Sequence, residues 1–261
     1  MKSEQPGLEI RALASHADYQ ACVALQYETW GRDFRDAVPA SVLIISQRLG
    51  GVVAGAFDGD RLSGFVFGIT GVEDGTVVHW SDMLAVRADV RNTGIGRRLK
   101  EHQRSQCARV GATVMYWTYD PLVSRNAHLN FNVFGVRVVE YVQDMYGHDT
   151  GSDLHRGVGT DRLVVAWHVA ESELLARRTR IAEATTSPAF HDAPILGDPD
   201  NAATFDARAT RVRIASPPDL AQLQRDAPGQ AARWRASTRA AFQNAFAAGF
   251  VVDGFVAGRD G

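Results

Sequence analysis

The sequence predicts an α/β fold, and three observations lead to it. Residues 51–87 divide into three strand-like runs, parted by turn signals at Asp58-Gly59-Asp60 and at Gly71 to Gly75. The third run, ending in LAVR, passes through a short loop at 88–93 into a helix-period segment at 94–110. After it, strand-like runs at 112–119, 136–146 and 161–169 are separated by helical or loop segments.

The elements follow in order. Residues 8–13 alternate as a short strand, and 18–29 place Tyr19, Cys22, Val23, Leu25 and Gln26 at helical spacing, closed by Trp30-Gly31. Residues 39–48 form a second helix with Pro39 suited to its first turn. Strands are expected at 51–57, 61–69 and 76–87. The helix at 94–110 is stopped by Gly111, and the strand at 112–119 by Asp120-Pro121. A short helix at 124–134 breaks at Gly135, a strand follows at 136–146, and a glycine-rich loop fills 147–160. A strand at 161–169 leads into a charged helix at 171–182. From 183 to 210 the chain turns to Ala, Thr, Asp and Pro and reads as a linker or surface arm. A short strand at 211–215, helix over 218–248 with a break at Pro228-Gly229, and a strand at 250–257 complete it. The organisation read from this is a main domain over 1–182, the arm over 183–210, and an extension over 211–261 that packs on the main domain or on a dimer partner.

Composition narrows the function. Of 261 residues 45% are hydrophobic and 22% charged, enough to build a globular core. The net charge of -2 lacks the basic excess of a nucleic-acid surface. Two cysteines, Cys22 and Cys107, make neither a disulfide framework nor a four-thiolate metal site, so no metal is expected. The start, MKSEQPGLEI, has no signal-peptide core, and no stretch approaches the roughly 20 apolar residues of a membrane span. The expectation is a cytoplasmic protein acting on a small molecule, away from membranes.

The loop Arg91-Asn92-Thr93-Gly94-Ile95-Gly96 carries the strongest chemical signal. It sits between a strand and a helix. The first amides of a helix lack intrahelical partners, and the helix dipole makes that end partly positive. Gly94 and Gly96 admit an oxyanion to the backbone, and Arg91 and Arg97 add full charges. No Gly-Lys-Ser/Thr follows, so the loop is not a P-loop, and it is one glycine short of the dinucleotide fingerprint.

Residues 83–99, MLAVRADVRNTGIGRRL, resemble the signature of the GNAT N-acyltransferase superfamily: a strand ending in L-x-V, a short loop, then R/Q-x-x-G-x-G/A opening a helix. A weaker second match lies at 127–136, AHLNFNVFGV, with Ala127, Phe131 and Gly135 in register. The resemblance spans roughly 8–170. It implies a mixed, mostly antiparallel central sheet flanked by helices, with the helical and strand extension at the C-terminus outside it. It also implies an acyl-CoA co-substrate, acetyl-CoA or succinyl-CoA. The pyrophosphate would rest on the amides of Arg91 to Gly96. The pantetheine would pair with Leu84, Ala85 and Val86 as an added strand, with Asn126 nearby.

Direct attack of an amine on a thioester needs a proton acceptor. Asp82 is the first candidate, where the superfamily often carries a base; strict alternation would put it on one face with Trp80, Leu84 and Val86. His79, His128 and His155 are weaker candidates. Phe131 stands where many members have a tyrosine that protonates the leaving thiolate, so Tyr119, Tyr141, water or an unaided thiolate must replace it.

For the acceptor, the segments YGHDTGSDLHRGVGTDRL at 146–163 and WRASTRAAF at 234–242 resemble a bacterial subgroup linked to N-succinylation of amino acids. That implies carboxylates on donor and acceptor, with Arg156 and Arg162 as their partners, and Arg125 and Arg137 after them. Trp30 and Phe34 sit where the superfamily builds its acceptor pocket, although such aromatics are more often core. Trp234, Phe242, Phe246 and Phe250 form a stripe read first as a packing face, with a homodimer contact as the alternative. The leading function is therefore acyl transfer to the amine of a small molecule such as an amino acid. The alternatives are a non-catalytic acyl-CoA-binding module and a protein N-acetyltransferase.

Overall fold

A computed structural model describes residues 7–201 and 203–256. The start of the chain, residues 1–6, and the last residue of the expected terminal strand, 257, lie outside the described residues. The chain divides into two compact units. One comprises 1–117 with 150–153, and the other 118–149 with 154–261.

In the first unit, β1 (Leu8–Ala12), β2 (Val52–Asp58), β3 (Arg61–Glu73) and β4 (Thr76–Val86) pair antiparallel in that order. The Asp60 and Gly75 turns join β2 to β3 and β3 to β4, as the turn signals predict. β5 (Val114–Tyr119) then pairs parallel with β4, over Val78–Trp80 alone. One face of the sheet packs against α1 (His16–Trp30) and α2 (Ala40–Arg48). There Leu13, Cys22, Leu25 and Leu43 meet Phe57, Phe65, Phe67, Met83 and Ala85 in one core. Ser15 starts α1 with a reciprocal capping box to Asp18, so the amides of Ser15 and Asp18 are satisfied locally. The other face carries α3 (Ile95–Arg109), whose Ile95, Leu99, Gln103 and Cys107 are buried at helical spacing.

In the second unit, α4 (Ser124–His128) widens into a π turn at Leu129–Phe134, ended by Gly135 at φ 70. β6 (Arg137–Val142) and β7 (Arg162–His168) form an antiparallel pair. α5 (Glu171–Thr186) follows, then α6 (Pro188–His191), the parallel pair β8 (Ile195–Leu196) and β9 (Arg213–Ile214), α7 (Leu220–Asp226) and α8 (Pro228–Ala247). α8 lies on β6, where Phe242 stacks on Tyr141 at 5.3 Å and on Phe246 at 6.1 Å. Trp234 joins Leu122, Val158, Leu220 and Ala231 in a second core, and Phe250 meets Phe205. The aromatic stripe is a packing face.

The α/β class and the mostly antiparallel sheet flanked by helices are as expected, and a helical C-terminal extension is present. Two local expectations are corrected. The stretch 183–210 contains the end of α5, all of α6 and β8, because a few buried apolar residues (Ala193, Leu196) suffice to dock short elements on a larger surface. Residues 250–256 form no strand. They run along α5, held by Arg177 donating to Val252 O at 3.3 Å and Asn132 donating to Phe255 O at 3.1 Å.

Candidate functional site

The site is built on β4. Phe67 pairs with Met83 and Gly68 with Ser81, so Asp82 is an extra residue, a bulge, with no partner on β3. The bulge reverses the alternation. Before it, His79 and Ser81 face α3, where Gln103 Nε2 lies 3.0 Å from His79 Nε2 and Lys100 Nζ donates to Ser81 Oγ at 2.6 Å. After it, Leu84 and Val86 lie beneath Gly96 on that same α3 side, while Met83 and Ala85 join the α1/α2 core. Strict alternation had grouped Trp80, Asp82, Leu84 and Val86. The inserted residue breaks that grouping, and Trp80, flanked by two residues facing α3, points the other way.

Asp82 is open to solvent. Even so, protein packed around its carboxyl raises its pKa above the usual carboxylate value, and the negative charge of Asp36 adds to the rise. A carboxylate so placed is a better base than an ordinary surface aspartate. His79 is excluded from that role. It is wholly buried, and Thr70 Oγ1, which donates to Gly50 O at 2.7 Å, lies 3.0 Å from its Nδ1. Burial, with the charge of Lys100, pushes its pKa down to about 4.

Downstream of the bulge, Leu84, Ala85 and Val86 pair on one edge with Val66, Phe65 and Gly64. Since β5 stops pairing at Trp80, their other edge has no strand among the described residues of this unit. The strand then enters the loop. Arg91 Nε donates back to Val86 O at 3.0 Å and Thr93 Oγ1 to Val90 O at 2.7 Å, so these side chains shape the loop itself. Asn92 adopts φ 64, a left-handed conformation that asparagine tolerates. Gly94, at φ 90, caps α3 without a side chain. The first ladder bond runs from Arg98 N–H to Gly94 O at 3.0 Å, which leaves the amides of Ile95, Gly96 and Arg97 without intrahelical partners. Arg91 to Gly94 are exposed, nothing stands within 4 Å of a Cβ at Gly94, and one at Gly96 would make only ordinary contact with Leu84. Arg97 pairs with Glu101 at 2.8 Å along the helix. This is an open, partly positive cradle of the kind an anionic phosphate group fits.

Trp30 and Phe34 stack at 5.5 Å, and Trp30 meets Phe65 edge-on at 6.5 Å. Phe34 is buried in the same core as Met83, and partly buried Trp30 packs against that core.

In the second unit, Asn126 lies in the first turn of α4, its N–H donating to Val123 O at 2.9 Å, and Phe131 is buried in the π turn against Tyr119 at 6.2 Å. Arg156 is exposed, and its carbonyl accepts from Gln224 at 3.1 Å. Arg162 differs from its expected role as a substrate partner. It is buried, donates to His155 Nε2 at 2.8 Å, and lies 3.7 Å from Asp120. Burial and the Arg162 charge push His155 down to about 4, so it serves as a neutral acceptor. Neither tyrosine is well placed as an acid. Burial and Asp120 raise the Tyr119 hydroxyl, and Tyr141 donates to Asp161, which with its burial holds its proton on.

No group of three or more His, Cys, Asp or Glu suited to a metal ion occurs among the described residues, and no helix among them is long and apolar enough to cross a membrane. No family model matches the chain, and a search of the curated proteins finds no match. Solved N-acetyltransferase structures are similar to it. The ribosomal-protein-S18-alanine N-acetyltransferase from Escherichia coli is 16% identical over 62% of this chain and 94% of its own, with a TM-score of 0.47. The ribosomal-protein-alanine N-acetyltransferase from Brucella melitensis is 18% identical over 62% and 99%, with a TM-score of 0.49. Aminoglycoside 6'-acetyltransferase type Ii is 19% identical over 62% and 97%, with a TM-score of 0.48.

Proposed function

We propose that the protein is an acyl-CoA-dependent N-acyltransferase that acylates the amine of a small molecule. One observation carries the reading. A single run of chain links a bulged carboxylate at Asp82, an edge at Leu84–Val86 that no strand pairs with among the described residues of the first unit, and the start of α3 at Gly94, whose first amides lack intrahelical partners. The spacing suits a ligand with a phosphate group at one end, amides along its arm, and a reacting carbonyl at the other.

In this reading the amides from Arg91 to Gly96 bind pyrophosphate, aided by the charges of Arg91 and Arg97. Leu84, Ala85 and Val86 hydrogen-bond the pantetheine arm. Asp82 takes the proton released as the amine nitrogen bonds to the acyl carbon and the C–S bond breaks. The thiolate leaves without a tyrosine partner and is protonated by water, which a thiol pKa of about 8.5 allows. The donor is acetyl-CoA or succinyl-CoA, and an amino acid is the acceptor class the resemblance suggests. Arg156, Arg125 and Arg137 are the candidates for an acceptor carboxylate that the resemblance suggests beside Arg162, whose side chain meets His155 and Asp120. Buried Phe131 in place of a tyrosine favours one second reading, a module that binds acyl-CoA without turnover.

A free-thiol release assay across acyl-CoAs and amines separates the readings. Release that needs both substrates and collapses in Asp82→Asn is the expected result. Tight binding of acyl-CoA with no release for any amine would establish the module instead. Release with succinyl-CoA no faster than with acetyl-CoA would remove the succinyl preference.

A further inference from the structure

The bulge on β4 is fastened on both faces of the sheet, and the two fastenings flank Asp82. Upstream, Ser81 is buried on the α3 side, and its Oγ accepts from Lys100 Nζ at 2.6 Å. Lys100 is buried as well, with Nζ 3.9 Å from the centre of the Trp117 ring. Downstream, Met83 is buried on the opposite face, in the core that includes Phe65 and Phe67. With Ser81 held to one face and Met83 to the other, the residue left over between them is Asp82. The facing strand is fixed at the same level. Gly68, the partner of Ser81, comes so close to β4 that a Cβ there would stand 2.6 Å from Trp80 O. A side chain at that position would push the strands apart where the bulge begins. The Gly68 carbonyl also accepts from Ser46 Oγ of α2 at 3.2 Å.

We propose that Lys100 and Ser81 are positioning residues: their contact fixes which residue of β4 bulges, and so holds the Asp82 carboxylate where the amine arrives. The inference rests on the reading of Asp82 as the base. Apolar packing secures the strand after the bulge, through Met83 and Ala85. Before it, the β4 residues that face α3 are His79 and Ser81, both polar, and apolar burial does not fix their register. The best-attested use of a buried polar contact is to choose one register over another. Without the contact, Ser81 and Asp82 can exchange between the paired and the bulged position, and the carboxylate spends time away from the amine. The edge at Leu84–Val86 and the cradle at Gly94 lie past Met83 and keep their places.

The test is a double-mutant cycle of Lys100→Met, which keeps an unbranched side chain and removes the donor, with Asp82→Asn. Thiol release is measured with acetyl-CoA and the amine that reacts fastest in the panel, and CoA binding is measured by calorimetry. Lys100→Met is expected to lower kcat about 10- to 100-fold, the scale of a small misplacement of a reacting group. The KM for acetyl-CoA and the affinity for CoA should stay unchanged. In the Asp82→Asn background the same substitution should lower the remaining rate less than about twofold, because the group it positions is gone. Ser81→Ala removes the acceptor and leaves α3 untouched, so it should reproduce both results, and Ser81→Thr, which keeps the hydroxyl, should retain kcat. If Lys100→Met does not fold, Ser81→Ala takes its place in the cycle. An unchanged kcat, an equal loss in both backgrounds, or a parallel loss of CoA affinity would overturn the proposal and leave the contact as packing only. A wild type that releases no thiol with any amine, or an Asp82→Asn protein as fast as the wild type, overturns the base reading and this inference together. A rate that collapses in Asp82→Asn while Lys100→Met and Ser81→Ala stay fully active overturns this inference alone.

Discussion

Lys100 Nζ donates to Ser81 Oγ at 2.6 Å inside the first unit, with the Trp117 ring centroid 3.9 Å away. Desolvation dominates there, and the Lys100 pKa is pushed down to about 7 from an ordinary 10.5. Between those values the unfolded chain binds the proton and the folded chain does not, so stability should rise with pH from about 7 to about 10.5. Urea unfolding at pH 6.5 and pH 9 should show the higher pH more stable, by an amount on the order of a few kcal/mol. Lys100→Met should flatten this dependence; an unchanged slope would mean the amine is not desolvated.

Asp82→Asn should lower kcat by about 100- to 10,000-fold with acyl-CoA affinity retained, because it removes the proton acceptor and leaves the cradle intact. In the wild type, kcat/KM for the amine should rise with pH through a group titrating above the ordinary carboxylate range, the direction in which burial and Asp36 move Asp82. Asp36→Asn should shift that limb to lower pH. A pH–rate profile of both proteins checks this, and coincident limbs would remove Asp82 from the role.

Gly94→Ala should hurt twice. At φ 90 a Cβ is strained, costing roughly 1–2 kcal/mol, although no neighbour crowds the position. Any shift of the loop to relieve that strain also moves the amides of Ile95 and Gly96. The expected result is a lower melting temperature together with weaker CoA binding by calorimetry. Weakened stability with unaltered CoA affinity would place the anion elsewhere.

Arg235 on α8 donates to Asp120 at 2.6 Å and to Val158 O, and lies 4.0 Å from buried Asp161. One turn later, Arg239 donates to Asp161 at 2.6 Å and to Asp144 at 3.0 Å. Arg235→Met should destabilise the protein by about 3–5 kcal/mol in urea unfolding, since Asp120 loses its closest partner while still largely buried. A cost under about 1 kcal/mol would show the network to be dispensable.

Much of this was readable from local signals. The turns at Asp58-Gly59-Asp60 and Gly71 to Gly75, the α3 start at Gly94, and most elements through β7 follow from short-range preferences that the structure keeps. The 183–210 segment and the tail at 250–256 did not follow. Their order comes from docking on residues distant in sequence, such as Arg177 on Val252 O. Gln26 carried a faint signal, a polar residue at an apolar position of α1, yet its partner Val38 could not be named without the fold.

What the sequence by itself determined is the Arg91–Gly96 loop and its setting. A strand, a left-handed glycine and a helix start are properties of neighbouring residues, set by backbone sterics and the free amides of the first turn. What only the tertiary structure decided is the company these residues keep. Pairing with β3 made Asp82 a bulge and turned Ser81 toward Lys100. Burial took His79 out of contention and lowered the Lys100 pKa, while Asp120 and His155 engaged Arg162. Register, burial and ion pairing join residues tens of positions apart. Desolvation and charge act through space, so they depend on the packed neighbours and not on sequence spacing.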